Sequence, residues 1–124
     1  MSDPEFADAA RHFEQFVLGD FDRLKTRGYN PTLFRRLVAE RGSAVNAAKL
    51  LLGSGRHTSY GFERLWEMGE LEASIEFAVC LPWFRPLFTV EEQEEAETRL
   101  RLHDFPLDRR LRAAEMAPPS WVSP

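Results

Sequence analysis

The stretch PEFADAARHFEQFVLGDFDRLKTR, residues 4–27, decides the fold class. Within it Phe6, Ala10, Phe13, Val17, Phe21 and Leu24 recur at steps of three and four. That spacing lays one apolar stripe along one face of an α-helix. Asp3 is the expected N-cap, and Pro4 suits the first helical position, where a missing N–H costs nothing. Gly28 supplies the stop. Gly19 is a mild weakness inside the helix. So apolar a stripe needs a cover. The rest of the chain can provide it, or a second copy can, so a homodimer through helix 4–27 is one expectation.

Outward from this helix the chain reads as more helices. Tyr29-Asn30-Pro31 is a turn, because Pro31 keeps Asn30 out of the helical region. Thr32 is the expected cap of a short helix through Arg41, closed by Gly42. Ser43 caps a third helix to about Leu52, in which Ala47 and Ala48 permit close helix contact. Gly53-Ser54-Gly55 breaks the chain. Thr58 or Ser59 opens a fourth helix with Phe62, Leu65 and Trp66, interrupted by Gly69. Leu71, Ile75, Ala78 and Val79 mark a fifth, ending before Pro82. Thr89 and Glu92 form a capping box for a sixth over about 90–103. Leu107 and Leu111 suit one further short helix, and three prolines within 117–124 exclude regular structure there. The expectation is an all-α fold: a compact bundle of about five to six short helices over 1–104, with a Pro-rich, partly disordered C-terminal tail over 105–124.

The chain has 124 residues and a formal net charge of −4. That total hides a basic block. Residues 1–22 carry −5, residues 23–56 carry +7, residues 57–97 carry −8 and residues 98–124 carry +2. Such blocks either set up a local field or neutralise one another on folding. Arginine outnumbers lysine 14 to 2. GC-rich bacterial coding produces that bias, and phosphate or carboxylate recognition also favours the planar guanidinium. No apolar run is long enough to span a membrane, and no basic, apolar leader opens the chain. The expected setting is the bacterial cytoplasm, with no membrane partner.

No catalytic constellation is legible, and an enzyme is the less favoured class. Cys80 is the single cysteine, so no disulfide forms within the chain. It sits near a helix C-terminus, where the dipole opposes a thiolate. His12, His57 and His103 are isolated, without the spacing of a zinc site, so neither metal nor cofactor is expected. Glu91, Glu92, Glu94, Glu95 and Glu97 read as a solvated first turn that complements the helix dipole. Glu72 and Glu76 read as an exposed i,i+4 pair. Arg56-His57-Thr58-Ser59-Tyr60 is the most hydroxyl-rich loop and a weaker candidate for a small anionic ligand or an enzymatic site.

Two binding surfaces are candidates. Trp83, Phe84 and Arg85 crowd between Pro82 and Pro86, and Trp121 stands in the Pro/Ser tail. The connector cluster either closes a helical core or forms a docking patch, and Trp121 either folds back on the domain or inserts into a partner. Aromatic residues and arginine dominate interface hot spots, so these four are the candidate partner-binding residues of an adaptor. The alternative is a nucleic-acid-binding regulator that uses Arg35, Arg36, Arg41, Lys49 and Arg56 of the basic block, with Arg23, Lys25 and Arg27 nearby.

Residues 41–60, with Ala47-Ala48, Gly53, Arg56 and Thr58, resemble a Fis-type helix-turn-helix. One extra residue before Gly53 departs from that pattern and rotates the helix face by about 100°. Over a longer span, Tyr29-Asn30-Pro31-Thr32-x-Phe34, Ala47-Ala48-x-Leu50-Leu51, Gly61-Phe62-x-x-Leu65-Trp66-Glu67 and Leu87-Phe88-Thr89-x-Glu91-Glu92 resemble a family of uncharacterised small bacterial all-helical proteins. The resemblance implies a compact helical module and no particular activity. The chain departs from it at Ala73–Phe77, where the family has a more regular leucine/valine helix.

Overall fold

The computed structural model describes residues 4–54 and 60–122. Seven α-helices lie among them: α1 (Pro4–Leu24), α2 (Thr32–Arg41), α3 (Ala44–Leu52), α4 (Tyr60–Met68), α5 (Ile75–Cys80), α6 (Val90–Leu102) and α7 (Leu107–Met116). Three short 3-10 turns link them, at Lys25–Arg27, Leu71–Ala73 and Arg85–Leu87. The described residues contain no strand, so the all-α expectation is met.

The stripe of α1 faces the chain's own core. Phe13, Val17, Phe21 and Leu24 are buried, and only Phe6, near the start, stays exposed. Each such side chain contributes about 1.5–3 kcal/mol of apolar burial. The cover expected of a second copy is therefore supplied internally, chiefly by α3 and α5. Ala44, Ala47 and Ala48 are fully buried, so α3 can approach its neighbours closely. The N-terminus of α3 is held twice. Ser43 Oγ accepts from the Asn46 N–H at 3.1 Å, and Glu14 of α1 accepts from the Ala44 N–H at 2.8 Å.

Local punctuation follows the sequence in several places. Gly28 and Gly42 end their segments at φ values of 88° and 87°, in the left-handed region that favours glycine. Thr89 and Glu92 make the full capping box of α6. Elsewhere the structure corrects the reading. Thr32 lies inside α2, with Pro31 at the cap position and no side-chain cap bond. The expected continuous fifth helix is broken in two by Ser74, whose hydroxyl accepts from the Phe77 N–H and donates to the Leu71 carbonyl.

Within 105–124, the segment expected to be a tail, residues 107–116 form α7 and Leu107 is buried. Arg101 pairs with Asp108 across the α6–α7 turn, and Arg110 of α7 pairs with Glu72. The helix stops at Met116, before Pro118 and Pro119. None of the helices described is long and apolar enough to cross a membrane.

Candidate functional site

Within the aromatic connector, Phe84 closes the core, one of the two readings its sequence allows. Phe84 is 1% exposed. Its ring meets Phe13 edge-on at 5.3 Å and lies 5.7 Å from Phe16. Trp83 is half-buried beside it, and the Trp83 indole N–H finds no acceptor among the described residues. Arg85 bonds Glu97 at 2.9 Å and Gln93 at 3.2 Å. Gln93 donates in return to the Arg85 and Phe88 carbonyls. Pro82 and Pro86 bend the chain so that its rings point back at α1. Trp121, for which the sequence leaves fold-back and partner insertion open, lies parallel on His12 with ring centroids 4.1 Å apart, and 5.6 Å from Phe84.

The basic block is largely paired with acids of this same chain. Arg35 bonds Asp22 at 2.6 Å, and Lys49 bonds Glu92 at 2.7 Å with its ammonium 5.3 Å over the Phe88 ring. Arg23 and Arg27 both reach Glu70, and Arg36 lies 3.9 Å from Glu40. Arg41 is exposed. Arg56, and with it His57, Thr58 and Ser59, lies outside the described residues, as does the centre of the helix-turn-helix resemblance.

The acids also differ from expectation. Glu76, expected on a solvated face, is 4% exposed. It faces inward because Ser74 restarts the helix, which removes the assumed shared face with Glu72. Its partner is Arg99 of α6, itself 1% exposed, at 3.1 Å. The guanidinium also donates to Glu95 at 3.0 Å and to the Leu51 carbonyl of α3 at 3.1 Å. One arginine thus joins α3, α5 and α6. Burial pushes the Glu76 pKa above its ordinary value, against the pull of Arg99. Three of the five acids in the α6 run have partners: Glu92 with Lys49, Glu95 with Arg99 and Glu97 with Arg85.

Groups with nucleophilic or basic character are held structurally. Burial, with Glu97 adding to it, pushes the Cys80 thiol up to about 12. His103 Nδ1 lies 2.8 Å from the Arg99 carbonyl, and its ring sits against Phe62 and Trp66. No cluster of three metal-binding side chains occurs among the described residues.

Two concave regions remain. One is an open groove of about 610 Å³ between α1, the Gly69–Glu72 segment and the α6–α7 turn. Phe77 and Phe105 form part of its lining, and Trp66, 51% exposed, stands at it. Asp20, Glu70, Glu72 and Asp104 line it with Arg23 and Arg110; Arg23 lies 3.8 Å from Asp20 and 3.6 Å from Glu70, and Arg110 pairs with Glu72 at 2.6 Å. Burial raises the Asp20 pKa, with Arg23 opposing and Glu70 adding. Asp104 turns the chain into the groove wall at φ 59°, a conformation that aspartate tolerates better than most residues. The other region is a cavity of about 210 Å³ near Phe21, Tyr29, Phe34, Phe62 and Glu76. Of the residues that the sequence reading had placed at a binding surface, Arg23 of the basic block lines the groove. The one legible signal was Trp66, an indole near the end of a short helix just before Gly69.

Comparison with family models, with curated proteins and with solved structures finds no match to this chain.

Proposed function

We propose that the chain is a non-enzymatic adaptor that holds a basic segment of a partner protein in the groove beside Trp66. The observation that carries this reading is Trp66 itself. A large indole left half in solvent beside an acid-rich groove resembles an interface anchor more than a core residue. The arginine bias supports a bacterial source. We place the module in the cytoplasm, where a lone buried thiol such as Cys80 stays reduced.

The nucleic-acid alternative draws less support. A phosphate-binding surface needs cations turned to solvent, and the ion pairs of Arg35 and Lys49 weigh against that.

Selection from a displayed peptide library tests the reading. Lys/Arg-containing peptides should be enriched, and their binding should weaken at least about tenfold in Trp66→Ala. Enrichment of acidic peptides, or binding indifferent to Trp66→Ala, would contradict it. A salt-dependent mobility shift on duplex DNA or RNA would favour the alternative.

A further inference from the structure

We infer that the second cavity, between the Gly28–Phe34 segment, α4 and α5, is a binding site for a small quaternary ammonium compound. Four aromatic side chains line it: Phe21, Tyr29, Phe34 and Phe62. Three of them are connected through Phe21, with Tyr29 at 5.2 Å and Phe34 at 5.6 Å between centroids, the latter pair edge-on at 87°. A lining of aromatic rings suits a compact cation without hydrogen-bond donors.

The electrostatics point the same way. Glu76 is in the lining, and its cluster holds two carboxylates, Glu76 and Glu95, around the single guanidinium of Arg99. With both acids ionised that cluster carries one surplus negative charge. The Tyr29 hydroxyl is held protonated by burial and by the field of Glu76. Among the described residues Arg64 is the one cation in the lining, and Glu67 lies 3.8 Å from it. An anion would therefore meet a cluster in which the Glu76 and Glu95 carboxylates outnumber the Arg99 guanidinium.

Size selects within the cationic class. A volume of about 210 Å³ holds about seven waters at ~30 Å³ each, the heavy-atom count of a choline-sized molecule.

Calorimetric titration of the full chain tests the site with two probes. One is choline. The other is its neutral isostere, in which a quaternary carbon replaces the nitrogen. Choline should bind saturably, and about tenfold more tightly than the isostere. Phe34→Leu keeps an apolar wall but removes a ring, so it should narrow that ratio, and Phe62→Leu should do the same. Circular dichroism establishes whether each variant folds. If neither does, the ratio in the unaltered protein decides alone. Equal affinity for the isostere, no saturable choline binding, or an unchanged ratio in a folded variant would overturn the inference. Capture of phosphatidylcholine vesicles without binding of free choline would overturn it too.

Discussion

Arg99 of α6 and Glu76 of α5 form an ion pair at 3.1 Å that is almost wholly removed from solvent. Removing one member leaves the other charged and buried, which typically costs about 3–5 kcal/mol. Arg99→Met should therefore destabilise the protein by about that much in urea denaturation. The double variant Arg99→Met/Glu76→Gln should lose clearly less than the two single losses added together. Additive losses would mean that the pair is not coupled.

Glu76 and Glu92 act on pH dependence in opposite senses. The folded-state pKa of Glu76 is raised, so its contribution is present below the ordinary carboxylate range and falls away as pH rises through the folded value. For Glu92, burial pushes upward, but hydrogen bonds from Lys49 and the Thr89 N–H prevail and lower the pKa. Its contribution is present above the ordinary range and is lost as pH falls through the lowered value. Glu92→Gln should flatten the acid limb of the stability profile between about pH 3 and 6. An acid limb as steep as that of the unaltered protein would contradict the Lys49–Glu92 assignment.

Gly19 sits on the exposed side of α1, and nothing lies within 4 Å of a Cβ placed there. Its backbone is helical. Gly19→Ala should stabilise the protein by about 0.5–1 kcal/mol, since alanine restricts the unfolded chain and suits a helix interior. A loss of stability would place an unseen contact at this position.

Cys80 is buried and its thiol pKa is pushed up to about 12. At neutral pH a thiol reagent such as Ellman's reagent should modify it only as fast as the protein opens. Rapid modification of the folded protein would show that the α5–α6 packing is looser than described.

How much of this was legible follows the range of each interaction. Ser43 and the Thr89/Glu92 box act within three residues, so spacing alone reveals them. The stripe of α1 is similarly local. Ser74 is a cap of the same kind, but Leu71, Ile75, Ala78 and Val79 read through it as one helix. Glu76 and Arg99 stand on different helices, and nothing near either residue announces the other. Trp121 rests on His12, close to the opposite end of the chain. A tail indole with no local helix to hold it therefore leaves fold-back and partner insertion equally open until the tertiary contacts are known. The basic block carried a correct count of charges, but whether they face solvent depends on Asp22, Glu70 and Glu92.

The central claim is that the binding face of this bundle is the Trp66 groove and not the connector or the basic block. Amide and indole chemical-shift mapping with a selected basic peptide measures this directly. The account predicts that the largest shifts fall on the Trp66 indole and on Glu70, Glu72, Asp104 and Phe105. Shifts centred on Arg35, Arg36 and Arg41, or on Trp83 and Arg85, with Trp66 unmoved, would contradict it.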